Sequence, residues 1–175
     1  NAIVDALPDV HRSLVGAYSV LTILEKGFLA FRDPHGIRPL CMAERQVAND
    51  IFPHKEYIFS SESSAINFFG DYHHIEELRP GEAVFIERES LALHRRQVVP
   101  GRSAFCFFEF TYFARPDSKF KNRVVEGARK DLGNVLAEEH GNLKERMDVI
   151  VGVPSTGLSA AHSLAHAFGI PYENA

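Results

Sequence analysis

The sequence predicts an α+β region followed by an α/β region, and three observations point that way. From residue 17 to residue 98, short apolar runs rich in β-branched and aromatic residues alternate with turn residues, the signature of strands joined by tight connections. Beyond residue 119 apolar residues fall at helical spacing and lead into a continuous apolar run, as in a strand–helix unit of a parallel sheet. Between the two styles, 106–118 (CFFEFTYFARPDS) crowds five aromatic residues into one short stretch.

Taken in order, 1–16 is a weak helical stretch with no partner of its own, and AYSVLTIL, FLAF, YIFS, AVFI and LALHRRQV are the strand candidates. LTILEK followed by GFLAF reads as a hairpin across Glu25, Lys26 and Gly27. In FRDPHGIRPL (31–40), Asp33 and Pro34 favour a turn and Gly36 can take positive φ, while Arg32 and Arg38 can pair with carboxylates. That makes either a corner held by ion pairs or a turn presenting a binding site. A short helix over 62–69 is capped by Ser61 and carries Ala65, Phe68 and Phe69 on its apolar side. His73 and His74 are adjacent and read as loop.

In the aromatic stretch, alternation puts Phe108, Phe110 and Tyr112 on one face and Phe107 and Phe113 on the other. It therefore reads as a strand apolar on both faces, wedged between layers, in which Glu109 requires a partner. Val124, Ala128, Leu132, Val135 and Leu136 define a helix over 122–140 that stops at Gly141. DVIVGVP (148–154) is a continuous apolar strand, SLAHAFG closes a second helix with Gly169 just past its end, and a further strand starts at IPYEN.

Composition narrows the function classes. The 175 residues are 45% hydrophobic and 24% charged, with a net charge of −4. That balance is globular and carries no basic surplus for a nucleic acid or an anionic membrane surface. No apolar run approaches the ~18–20 residues of a membrane span, and the first residues lack the pattern of a signal peptide. Cys41 and Cys106 make no disulfide framework, so the cytoplasm is the expected compartment and a buried, inert thiol the ordinary role of each.

VPSTG (153–157) joins the apolar strand to the following helix. Backbone N–H groups there, with the positive end of the helix, suit a phosphate or pyrophosphate, although Ser and Thr at such a junction equally serve as plain helix caps. His162 and His166 have metal-ligand spacing but lack the glutamate of the metalloprotease motif and fall toward the outer edge of their helix, opposite Leu158, Ala161, Ala165 and Phe168.

Together, GAYSVLTI, FRDPHGIRPL, SSESSA, RPGEAVFI, FEFTYFARPDS and VPSTG–GIPY closely resemble the glutamine phosphoribosylpyrophosphate amidotransferase family, in its order and approximate spacing. The resemblance implies the C-terminal part of an N-terminal-nucleophile (αββα) glutaminase domain over 1–105 and an interdomain seam over 106–118. The start of a parallel-sheet phosphoribosyltransferase domain would occupy 119–175. It implies an enzyme that makes 5-phosphoribosylamine, glutamate and pyrophosphate from phosphoribosylpyrophosphate, glutamine and water, the first step of purine synthesis. Ammonia would pass internally from one site to the other. Carried onto this chain, the pyrophosphate loop is Pro154, Ser155, Thr156 and Gly157, and Tyr112 and Arg115 are candidates for the channel wall and interdomain contact.

The same comparison places the nucleophile and glutamine-binding groups before residue 1 and the ribose-phosphate motif after residue 175. The chain is thus expected to be an internal fragment, inactive by itself and without catalytic or metal-ligating residues of its own. Mg2+ would act in the parent on the pyrophosphate, and a homo-oligomer is implied. An iron–sulfur cluster, which some members carry, is not expected, because Cys106 alone cannot hold one. One departure stands out: Ser155 replaces the usual Asp or Glu. It keeps open a second reading, a non-catalytic or regulatory relative that retains the domain junction. A glutaminase coupled to a sugar-phosphate isomerase fits less well, since ARPDS and VPSTG point to a phosphoribosyltransferase.

Overall fold

The computed structural model describes residues 2–48 and 54–174 and divides into two units, Asn1–Cys106 and Phe107–Ala175. The first unit is built on two antiparallel sheets. β1 (Ser19–Leu24), β2 (Gly27–Arg32), β6 (Glu82–Glu87) and β7 (Leu93–Gln97) form one sheet in the order β1-β2-β6-β7. β3 (Cys41–Val47), β4 (His54–Ser60) and β5 (His73–Glu77) form the other, with β3 central. Residues alternate strictly between faces in a strand, and here both faces are apolar. Leu29, Phe31, Ala83 and Phe85 face one way, while Ala30, Val84 and Ile86 pack with Met42, Leu40 and Leu78 of the neighbouring layer. Cys41 and Ala43, on the far side of β3, pack on Ile66 of α3 (Ser63–Phe68). The layers therefore run helix, sheet, sheet, helix.

Several elements differ from the sequence expectation. The N-terminal residues do find a partner: α1 (Ala2–Asp5) and α2 (Leu7–Ser13) press Val4 and Leu7 onto Leu29, Phe31 and Phe85. β3 is hidden in the sequence because CMAERQV shows no apolar–polar alternation, three apolar residues being followed by three polar ones. His73 and His74 belong to β5, where His73 pairs with Glu44, rather than to a loop. α3 starts after Glu62, with no side-chain cap from Ser61, and buries Ser63, Ser64 and Ile66. Phe68 and Phe69 are exposed and stack edge-to-face at 5.7 Å.

The hairpin turns across Glu25 and Lys26, with Leu24 opposite Gly27. A side chain at Gly27 would sit 2.0 Å from the Ile86 carbonyl oxygen, so glycine is required there. The corner at 31–40 is held chiefly by backbone rather than by ion pairs. The buried Arg32 guanidinium donates to the carbonyls of Arg38 (2.7 Å), Leu78 (2.6 Å) and Gly36 (2.9 Å), with Glu77 at 3.5 Å. The fully buried Asp33 carboxylate accepts from the amides of His35, Ile37 and Arg38. Arg32 and Asp33 are thus spent on holding the corner, while His35 and Arg38 are exposed.

The second unit opens with the aromatic stretch, which is not a strand. Glu109–Phe113 is a single π-helical turn closed by the Ala114 amide on the Glu109 carbonyl at 3.1 Å. Phe107, Phe108, Tyr112 and Phe113 are exposed, and Phe110 meets the buried Phe120 edge-to-face at 6.1 Å. Glu109 is buried and engaged, as its charge requires. β8 (Lys119–Phe120) and β9 (Arg123–Val124) form a minimal hairpin turning at Lys121 and Asn122, both at positive φ. A left-handed residue cannot continue an α-helix, so α4 (Val125–Glu139) begins later than the periodicity suggests.

α4 buries Val125, Ala128, Arg129 and Gly133, whereas Val124, Val135 and Leu136 are exposed. The buried face is small because another helix lies close against it. At the far end α4 stops at Glu139, with His140 as its cap and Gly141 just beyond as expected, and Gly141–Arg146 follows as a 3₁₀ turn. β10 (Ile150–Gly152) and β11 (Tyr172–Asn174) pair in parallel, Ile150 opposite Tyr172, across α5 (Leu158–Phe168). The further strand expected at IPYEN is thus β11, and it closes a βαβ unit with β10 and α5. Ile150, Ala165 and Phe168 form its core with Leu164, Ile170 and Tyr172. Gly169, at φ 64°, ends α5, and the Gly169 and Ile170 amides take the His166 and Ala165 carbonyls.

Candidate anion site at the head of the second helix of the α/β unit

The loop between β10 and α5 is tight because two glycines let backbone approach backbone. A side chain at Gly152 would lie 3.0 Å from Leu158 Cα, and one at Gly157 would lie 2.8 Å from the Val153 carbonyl oxygen. The Gly157 amide closes the loop on that same oxygen at 3.1 Å. The Pro154–Ser155 peptide is cis. Pro154 and Ser155 are exposed, while Thr156 and Gly157 are half-buried.

An α-helix leaves its first amides without intrahelical acceptors and carries partial positive charge there. Among the described residues no side chain caps them at α5, neither Ser155 nor Thr156. The plain capping role open to these residues on sequence alone is therefore not what they adopt. Ser159, in the first turn, instead donates its hydroxyl to Glu126 of α4 at 2.7 Å. The result is a half-buried helix end without a side-chain cap, beside the exposed Pro154 and Ser155, an arrangement that can receive an anion.

Tyr112 and Arg115 lie elsewhere in the same unit. Tyr112 is exposed on the π turn, 5.5 Å edge-to-face from Phe113, and Phe108, Thr111, Tyr112 and Phe113 line an open apolar recess of about 520 Å³. Arg115 pairs with Asp117 at 3.1 Å in the turn that follows. α4 is the element bonded to both places. Its Arg129 guanidinium, 3% exposed, donates to the carbonyls of Phe110 (2.8 Å) and Ala114 (2.9 Å). Its first amides, of Val125 and Glu126, donate to the carbonyls of Ser118 and Pro116. Arg129 is not among the apolar positions that define this helix in the sequence, and no sequence signal separates it from its neighbour Lys130.

Other candidates take ordinary roles. Cys41 is buried, and burial pushes its thiol up to about 12, so it stays protonated and is no nucleophile. His162 and His166 are exposed, and His162 lies against the Tyr172 ring at 5.3 Å. Among the described residues, no group of three or more His, Cys, Asp or Glu comes together to hold a metal ion.

These features define a class: an antiparallel two-sheet unit followed by a βαβ unit whose second element, a helix, offers an uncapped N-terminus to an anion. No protein-family model matches the chain. Individual proteins do. It is 35% identical over 170 residues to the amidophosphoribosyltransferase of Escherichia coli K12, covering 95% of this chain and 33% of that protein. The structure of glutamine phosphoribosylpyrophosphate amidotransferase from B. subtilis, complexed with ADP and GMP, superposes with a TM-score of 0.77 at 33% identity, over 97% of this chain and 34% of that one. A structure described as the allosteric regulatory enzyme of purine biosynthesis gives a TM-score of 0.79, also at 33% identity, over 97% of this chain and 34% of that one. Along nearly its whole length, the chain is homologous to the amidophosphoribosyltransferases, and it spans about a third of the length of these relatives.

Proposed function

We propose that the chain contributes the part of an amidophosphoribosyltransferase that joins a glutaminase domain to a phosphoribosyltransferase domain. On this reading the whole enzyme converts phosphoribosylpyrophosphate, glutamine and water to 5-phosphoribosylamine, glutamate and pyrophosphate. It would be a homo-oligomer of the cytoplasm. The helix–sheet–sheet–helix layering of the first unit supports an N-terminal-nucleophile glutaminase, and the βαβ unit supports the start of a phosphoribosyltransferase. The observation that carries the reading is the uncapped helix end beside Pro154, Ser155, Thr156 and Gly157, within a chain so closely matched to these enzymes.

The chemistry follows from charge. When ammonia attacks C1 of the sugar, the C1–O bond breaks and negative charge develops on the departing pyrophosphate. Backbone amides fixed by the Gly157–Val153 closure and the positive end of α5 stabilise that charge without reorganising. Mg2+, which the resemblance implies, finds no ligand set among the described side chains, and Ser155 brings a hydroxyl where a carboxylate is usual, so no step is assigned to it. Tyr112 and Arg115 are proposed to border the path by which ammonia arrives.

Ser155 is the one observation favouring the competing reading, a non-catalytic relative. The two separate in one assay: phosphoribosylamine formation from glutamine and phosphoribosylpyrophosphate by the protein expressed from its complete reading frame. Turnover is expected; its absence, together with failure to bind phosphoribosylpyrophosphate, overturns the enzymatic reading.

A further inference from the structure

α4 is bonded at one end to the aromatic turn and along one side to α5. A fully charged guanidinium buried in a helix face is expensive unless its donors are all directed. Arg129 directs its fork at two carbonyls of the turn, Phe110 and Ala114, so its ordering is spent on holding that turn. The Arg115–Ser118 segment is tied to the same helix, since its Pro116 and Ser118 carbonyls accept the first amides of α4. On the other side, Glu126 accepts the Ser159 hydroxyl at 2.7 Å. One turn-pair further along, Gly133 lies so close to α5 that a Cβ there would be 2.2 Å from the Ala160 carbonyl oxygen. The aromatic turn, α4 and the first turn of α5, which follows the loop directly, are thus linked by directed bonds and by a contact with no slack.

We infer that Arg129 is a positioning residue, which fixes the aromatic turn to α4 and so holds Tyr112 and Arg115 in register with the Pro154–Gly157 loop. Its consequence for catalysis rests on the proposed function: Arg129 serves the delivery of ammonia, not the binding of the sugar phosphate. A guanidinium that merely stabilised the fold would affect both equally.

The test compares Arg129→Gln and Arg129→Lys in the protein expressed from its complete reading frame, with glutamine or added ammonia as nitrogen source. Arg129→Gln is expected to lower glutamine-driven synthesis about tenfold or more, the scale of a lost hydrogen bond to a charged group. Ammonia-driven synthesis and the KM for phosphoribosylpyrophosphate should stay within about twofold of the parent. Arg129→Lys, whose single ammonium can reach one carbonyl, should recover part of the loss. Equal loss by both routes, or no loss by either, overturns the inference.

Amide hydrogen exchange on the same proteins decides the matter independently of turnover. In Arg129→Gln the amides of Ala114 and Gly157, bonded to the Glu109 and Val153 carbonyls, should exchange faster together, while Val84 in the first unit is unchanged. Faster exchange confined to Ala114 overturns the linkage. If the parent protein shows no turnover from either nitrogen source, the proposed function fails, and the exchange result alone stands for or against Arg129.

Discussion

Two glycines in one helix make opposite predictions for the same substitution. Gly127 and Gly133 both lie in α4, but a Cβ at Gly127 meets nothing within 4 Å, whereas one at Gly133 would lie 2.2 Å from the Ala160 carbonyl oxygen and 2.8 Å from Ser163 Cβ. Replacing a helical glycine by alanine gains up to about 1 kcal/mol of propensity. That gain should appear in Gly127→Ala, reduced by its place in the first turn. In Gly133→Ala it is opposed by overpacking, typically about 1–3 kcal/mol, and towards the upper end because the obstacle is backbone, which cannot rotate away. The net expectation is a loss of about 1–2 kcal/mol, or roughly 4–8 °C per kcal/mol for a unit this small. Urea unfolding followed by the amide signals of α4 and α5 measures both variants side by side. If Gly133→Ala stabilises as Gly127→Ala does, the close crossing of α4 and α5 is wrong, and with it the linkage argued for Arg129.

Gly157→Ala places a Cβ 2.8 Å from the Val153 carbonyl oxygen and should weaken binding of inorganic pyrophosphate by as much as about 100-fold by calorimetry, the upper scale for a displacement of about 1 Å, while leaving the urea midpoint of the first unit unchanged. Cys41 should resist a thiol reagent in the native chain while the half-buried Cys106 reacts, and both should react in urea; native labelling of both would contradict the packing of β3. The first unit should lose stability as pH falls below the ordinary histidine value of 6.5, because burial holds the His11 imidazole below it. The sign follows from linkage: between the two values the unfolded chain binds the proton and the native one does not, so acid favours unfolding. His11→Phe should flatten that slope between pH 8 and pH 5.5, and an unaltered slope would assign it to other groups.

How much of this was legible in the sequence depended on whether the local pattern carried the deciding information. The hairpin at Glu25 and Lys26 and the end of α5 at Gly169 were legible, since a turn residue fixes each locally. The aromatic stretch was misread because strand alternation and a single π turn share the same apolar run. What decides between them is Arg129, distant in sequence, whose guanidinium takes the carbonyls that a strand would spend on a ladder. The face of α4 was misread for a related reason. Periodicity ranks Leu136 and Val135 above Ala128 and Gly133, yet a helix crossing this close selects small residues and turns larger ones outward.

The candidate site was legible as a motif and ambiguous as chemistry, because Ser and Thr at a strand–helix junction serve capping and anion binding alike. In the structure the one hydroxyl in the first turn of α5 turns away to Glu126, and no side-chain cap is present among the described residues. This bears on Ser155. A cradle made by side chains would be lost with the carboxylate that usually stands there. A cradle made by backbone amides and a helix end is indifferent to the residue at that position, provided the Gly157 closure survives. On the proposed reading, then, Ser155→Asp should change the affinity for inorganic pyrophosphate far less than Gly157→Ala does. Since added negative charge at the helix end opposes an anion, the change it does produce without metal should be a weakening. Calorimetry of the two variants ranks them, and the reverse order would show that the side chain at 155, not the backbone, makes the site.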